Sequence, residues 1–264
     1  LLGAHDEAQT YAFLRERMAA RPESTGPRFA LGYALGRSGD AAQMEEGRTM
    51  LGPLARDRGD ALVLEVLSDL LASLDRPVPA AAMADKASRA RRRISEFDDE
   101  RANLLKAGRY LHLAGEWDKA TETLGRALRQ AEVVHSPVGV IRARQALGAA
   151  AQSLGKLEDA RSHYKAAVAA AEALGHAGPE VSARVNLAEL DELSGHADRV
   201  DASFAMLRRF QSDTPRLGAQ VRQRWARILA DRGEDVAALD ELSAAVETLK
   251  EDQAWQEIAQ ALSL

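Results

Sequence analysis

The chain has 264 residues, of which 46% are apolar and only 5% aromatic, and it carries a formal net charge of −5. That acidic balance argues against a dedicated nucleic-acid surface, the absence of cysteine excludes disulfides and thiolate metal sites, and no apolar run approaches the ~18 residues of a membrane span. Abundant Ala, Leu, Glu and Arg with few β-branched runs point to an all-α, water-soluble chain, for which the cytoplasm is the expected compartment.

In chain order, Leu1-Leu2-Gly3 followed by Ala8 reads as the end of one helix and the start of its partner, with Pro22 closing that unit. A second, degenerate unit has Leu31-Gly32 and Gly39-Asp40, where about three extra residues precede Gly47, Leu51 and Leu54. Asp60 to Ile94 reads as a further unit that lacks its glycine: Leu64, Leu67 and Leu71 form an apolar face, and Pro77 and Pro79 break it before the next helix. The cations Lys86, Arg89, Arg91, Arg92 and Arg93 then fall near a helix C-terminus, where they oppose the dipole, and Glu96, Asp98, Asp99 and Glu100 open the following helix. A patch for an anionic partner is the other reading of these cations.

From there the pattern is regular. Gly115, Gly155, Gly195 and Gly233 recur at separations of 40, 40 and 38 residues. The clearest copy is Leu147-Gly148, Gly155, then Ala160-x-x-x-Tyr164-x-x-Ala167. Its neighbours keep register with Ala107-Gly108, Ala120 and Leu124; Leu187-Ala188, Val200 and Phe204; and Trp225-Ala226, Ala238 and Leu242. A helix ending at each glycine takes the left-handed cap without a Cβ penalty, and a second helix returns antiparallel. Gly148 and Ala160 mark the expected close crossing of the two backbones. Trp255, Ile258, Ala259 and Leu262 form a last i, i+3, i+4, i+7 stripe, so the chain reads as a fragment cut in mid-pattern.

This template resembles the tetratricopeptide repeat, whose signature is a Leu-Gly pair, a glycine turn and Ala-x-x-x-aromatic. The 40-residue period exceeds the usual ~34, as in the long-helix variants of kinesin light chains, cell-polarity adaptors and bacterial regulators. The expected fold is therefore a right-handed α-solenoid of antiparallel helix pairs spanning 1–264: degenerate pairs over 1–97, four regular pairs over 98–250 and a terminal helix over 251–264. The Ala/Arg-rich composition fits a high-GC bacterial coding sequence.

No phosphate-cradling loop, metalloprotease helix, calcium loop or nucleophile elbow occurs, and His5, His112, His135, His163, His176 and His196 have no ligand-like spacing. The reading is non-catalytic, without metal or cofactor. What remains is a surface. First helices of successive pairs line the concave side of a solenoid. Stripes counted back from each turn glycine give Lys106 and Arg109; Arg142, Gln145 and Gln152; Asn186 and Glu189; and Gln223, Arg224 and Arg227 as a polar groove for a peptide backbone and its acidic side chains. In long-helix members an asparagine just before the Leu-Gly or Leu-Ala pair clamps the ligand backbone, a role the resemblance gives to Asn186 alone. Arg144, Arg184 and Arg222 recur eleven residues before their glycines, and each is expected to reach a carboxylate of the neighbouring copy. Two functions fit: a scaffold that binds a protein or peptide segment in the groove, or a sensor or oligomerisation module of a bacterial transcriptional regulator. Neither implies membrane or direct nucleic-acid binding by this stretch.

Overall fold

The structure, a computed structural model, describes residues 2–57, 59–94, 96–175, 177–210 and 214–251. Its packing forms two compact units, Leu1–Val134 and His135–Leu264. Among the described residues every regular element is helical.

The first unit contains α1 (Leu2–Ala20), α2 (Thr25–Gly36), α3 (Ala41–Asp57), α4 (Ala61–Ser73), α5 (Pro77–Arg93), α6 (Phe97–Leu113) and α7 (Trp117–Val133), each packed on the next. The second contains α8 (Pro137–Ser153), α9 (Leu157–Leu174), α10 (Ala177–Leu193), α11 (Ala197–Leu207) with a 3-10 turn over Arg208–Phe210, α12 (Pro215–Asp231) and α13 (Asp235–Glu251). Here α10 also touches α8 and α12, so first helices of successive pairs lie side by side. Each unit is thus an all-α solenoid segment of antiparallel helix pairs.

The turns explain the pairing. Gly115, Gly155, Gly195 and Gly233 have φ of 74°, 71°, 73° and 79°, the left-handed region that only glycine enters freely. The residue after each donates its N–H five residues back, as from Lys156 to the Ala151 carbonyl at 2.9 Å, and so satisfies an orphan carbonyl of the first helix. The unit without a glycine makes the same turn: Asp75 has φ 55°, and the Arg76 N–H reaches the Leu71 carbonyl at 2.9 Å. Aspartate is among the few other residues that tolerate this conformation.

The core of each glycine-turn pair is a side chain seated on a small residue. A Cβ added to Gly148 would lie 2.5 Å from Cε1 of Tyr164, and one on Gly108 would lie 2.5 Å from Cδ2 of Leu124. Ala188 with Phe204, and Ala226 with Leu242, pack in the same register. The glycine of the second copy therefore makes room for the Tyr164 ring rather than for the backbone at Ala160. Backbone crowding occurs instead in the degenerate pair, where a Cβ on Gly47 would meet the Gly32 carbonyl oxygen at 2.7 Å.

One expectation at the start of the chain changes, and one at its end is not reached. α1 runs through Gly3 without a turn, because one glycine costs a helix only about 1 kcal/mol and the Ala- and Glu-containing stretch after it favours helix. The terminal stripe of Trp255, Ile258, Ala259 and Leu262 lies outside the described residues.

Glycines at seats and glycines in open helix should respond oppositely to a methyl group. Gly108→Ala should lower stability by about 1–3 kcal/mol through overpacking against Leu124. Gly125→Ala, in mid-α7 where the new Cβ would meet only the flexible end of Arg129 at 3.5 Å, should raise it by roughly 0.5–1 kcal/mol. Urea unfolding of both variants checks the signs.

Candidate functional site

In the second unit the predicted stripe falls on α8, α10 and α12, and its members divide by what they touch. Gln145 on α8 donates from Nε2 to the Pro179 carbonyl of α10 at 3.4 Å. Gln152 accepts the Tyr164 hydroxyl at 3.2 Å within its own pair. Arg224 on α12 pairs with Glu189 on α10 at 3.2 Å. These groups join helices. Arg142 and Arg227, by contrast, are exposed, and Asn186 and Gln223 are half-buried; none of the four pairs with a side chain or carbonyl among the described residues. They leave donors and acceptors on one face of three adjoining first helices.

In the first unit Lys106 on α6 is held by Asp69 of α4, with both carboxylate oxygens 2.8 Å from Nζ. The Tyr110 hydroxyl donates to the same carboxylate at 3.1 Å. Burial first, then the Asp69 charge and hydrogen bond, push the Tyr110 hydroxyl up to about 12, so it stays a neutral donor at physiological pH. Arg109 next to it is exposed. Below this face Arg91 on α5 makes a two-pronged contact with Glu65 on α4 at 2.8 and 2.9 Å, Asn103 on α6 donates to Glu65 at 2.7 Å, and Arg91 also grips Glu96. Burial works to raise the Glu65 carboxyl, but the bonds from Arg91 and Asn103 outweigh it and hold the carboxyl below its ordinary value. Arg91 was legible as a dipole-opposing cation; its use as a three-helix pin was not.

Sequence reading missed Asp69 and Tyr33 as members of the stripe. Arg109 lies six residues before Gly115, Asp69 six before Asp75 and Tyr33 six before Gly39, so all three share one register once Asp75 is recognised as a turn residue. The recurring arginines also diverge. Arg184 reaches Glu172 at the end of α9, the neighbouring copy, as expected, and Glu180 of its own helix at 2.9 Å. Arg222 pairs with Glu241 of its own helix pair at 2.6 Å. Arg144 stands near His163.

Arg232, at the end of α12, ties the pairs of this unit together. It makes two bonds to Glu192 of α10 at 2.9 and 2.6 Å and one to Asp201 of α11 at 2.8 Å, with its guanidinium over the Trp225 ring at 5.5 Å. Tyr164, pushed up to about 12 first by burial and then by the Glu189 charge, keeps its hydroxyl on Gln152. Among the described residues no group of three acidic, histidine or cysteine side chains converges as a metal site, and no helix is long and apolar enough to cross a membrane.

His163 on α9 gives this unit a pH dependence. Burial, then the Arg144 charge, lowers its pKa, and its Nδ1 is buried without a partner. A depressed histidine contributes stability that is present above its unfolded value of ~6.5 and is lost as pH falls through the folded value. The melting temperature should therefore drop on acidification below about pH 6.5, and less steeply in His163→Gln; equal slopes would remove His163 from this account.

Residues 100–173 match the family model of the tetratricopeptide repeat. No curated protein matches the sequence. Among solved structures, a tetratricopeptide repeat protein from Parabacteroides merdae superposes with a TM-score of 0.65 at 14% identity over 100% of this chain and 94% of that one. The Rap conjugation gene regulator of plasmid pLS20, in complex with the Phr* peptide, gives 0.58 at 16% identity over 76% of this chain and 56% of that one. A signal transduction ATPase with numerous domains and a tetratricopeptide repeat sensor, from Pyrococcus horikoshii, gives 0.63 at 14% identity. This chain spans 38% of that ATPase's length, against 90% of its own. Residues 100–173 thus match the tetratricopeptide repeat, and the helix pairs beyond them share its fold.

Proposed function

We propose that the chain is a non-catalytic scaffold that holds a polypeptide segment along the polar face of α8, α10 and α12, in the cytoplasm. The observation that carries this reading is the division of the stripe: Gln145, Glu189 and Arg224 fix the helices to one another, while Arg142, Asn186, Gln223 and Arg227 keep their polar groups available on the same face. Amide groups suit a ligand backbone, and the two guanidiniums suit acidic side chains. The fold likeness to a regulator solved with a peptide supports a polypeptide ligand. In the first unit Lys106 and Arg109 continue the same register, with Lys106 kept in place by Asp69.

A sensor module of a larger regulator is the second reading, favoured by the sensor of the Pyrococcus horikoshii ATPase. The two readings share a ligand class and differ in what the bound segment triggers.

Panning a random dodecapeptide library on the immobilised chain supplies ligands for the test. In the variant carrying Arg142→Ala, Asn186→Ala, Gln223→Ala and Arg227→Ala, helicity should be unchanged and affinity for the selected peptides should fall by about 2–4 kcal/mol, roughly 30- to 700-fold. Added salt should weaken binding to the parent by screening the arginines. Peptides that bind the variant as tightly as the parent would place the ligand elsewhere.

A further inference from the structure

The first unit contains an open cavity of 510 Å³ between α2, α3 and α4, in the degenerate part of the chain. Its floor is apolar, made by Met44, Val66 and Leu70, and Tyr33, 42% exposed, forms one wall. Tyr33 is fixed from two sides, stacked on Phe29 at 6.2 Å between centroids and covered by the Arg37 guanidinium at 5.6 Å. Gly36 in α2 keeps the adjoining wall low, since a Cβ there would press on Cδ2 of Leu70 at 3.2 Å. A rigid aromatic wall over an aliphatic floor, of this volume, matches the build of a ligand pocket rather than of a packing gap.

Charge selects the occupant. Asp69 at the rim is already neutralised by Lys106 and Tyr110. Asp40 beside the mouth caps α3 by accepting the Gln43 N–H at 2.8 Å. Arg37, the other charged residue lining the cavity, has no carboxylate partner among the described residues. The unmatched charge at the rim is therefore positive. Register places the cavity on the first-helix stripe of this unit, because Tyr33 and Asp69 each lie six residues before their left-handed turn residue, as Arg109 does.

We infer that this cavity is an anchor pocket for a large apolar side chain of a polypeptide ligand, with an adjacent acidic residue of that ligand held by Arg37. The inference rests on the reading of the ligand as a polypeptide, but not on the α8, α10 and α12 face. The occupant is an aromatic or long aliphatic side chain entering against Tyr33 and Leu70. Its neighbouring carboxylate meets a guanidinium that is oriented over the Tyr33 ring before binding, which limits the ordering cost. A basic neighbour would face that guanidinium unscreened.

The test uses the full chain, labelled with nitrogen-15, and three probes: N-acetyl-Phe-Glu-amide, N-acetyl-Phe-Lys-amide and 3-phenylpropionate. Saturable amide shifts centred on Gly36, Gly39 and Ser73 are expected with the Phe-Glu probe, with affinity about tenfold higher than for Phe-Lys. Arg37→Glu, an exposed change, should reverse that order, and Val66→Phe should abolish the shifts for both peptides. Absence of shifts at these residues, or an order unaffected by Arg37→Glu, overturns the proposal. Equal or tighter binding of 3-phenylpropionate also overturns it, by assigning the pocket to a free aromatic acid. Loss of these shifts with retained binding of panned peptides to the α8, α10 and α12 face would remove the anchor pocket and leave the scaffold reading standing.

Discussion

The helix pairs with a glycine turn depend on one steric arrangement: a bulky side chain of the returning helix sits on a residue of the first helix that has almost no side chain of its own. Tyr164 on Gly148, Leu124 on Gly108 and Leu51 on Gly32 are the tightest, with the hypothetical Cβ at 2.5, 2.5 and 2.9 Å. Interiors pack at near-crystalline density, so one methyl group at such a seat must displace its neighbour. The seat fixes how the second helix returns. It thereby fixes which stripe of the first helix is left for other uses.

Those uses are shared between holding the array and meeting a ligand. A solenoid has no single large core, so each unit secures neighbouring pairs by local contacts. Arg91 with Glu65 and Asn103 does this in the first unit, and Arg232 with Glu192 and Asp201 in the second. Each is a multi-pronged contact with a partly buried guanidinium, the geometry in which an ion pair contributes most. The same economy explains why Gln145, Glu189 and Arg224 are occupied while Arg142 and Arg227 beside them remain available.

The repeat was legible because a left-handed turn leaves glycine in the sequence at a fixed distance from the seat, as at Gly148 and Gly155. The pair with Asp75 was visible only through its leucines and prolines, since aspartate at a turn is not a distinctive letter even when its φ is 55°. Register was lost there, and with it Asp69, whereas Tyr33 stands six residues before Gly39 and was legible from that glycine. Within the stripe, sequence placed Gln145 and Gln223 on the same kind of surface but could not separate them. An amide that bonds a ligand and one that bonds the next helix look alike until the 3.4 Å distance from Gln145 to Pro179 is known. Gln152 was equally opaque, because its partner is the very tyrosine that fills the seat.

The seat itself is tested most directly by a double-mutant cycle on Gly148 and Tyr164, read by urea unfolding. If the Tyr164 ring is what excludes a side chain at residue 148, Gly148→Ala should cost about 1–3 kcal/mol in the parent. In a Tyr164→Ala background the same change should become neutral or stabilising by up to roughly 1 kcal/mol, as expected for alanine replacing glycine in a helix. Additive costs, with no coupling between the two positions, would contradict the account.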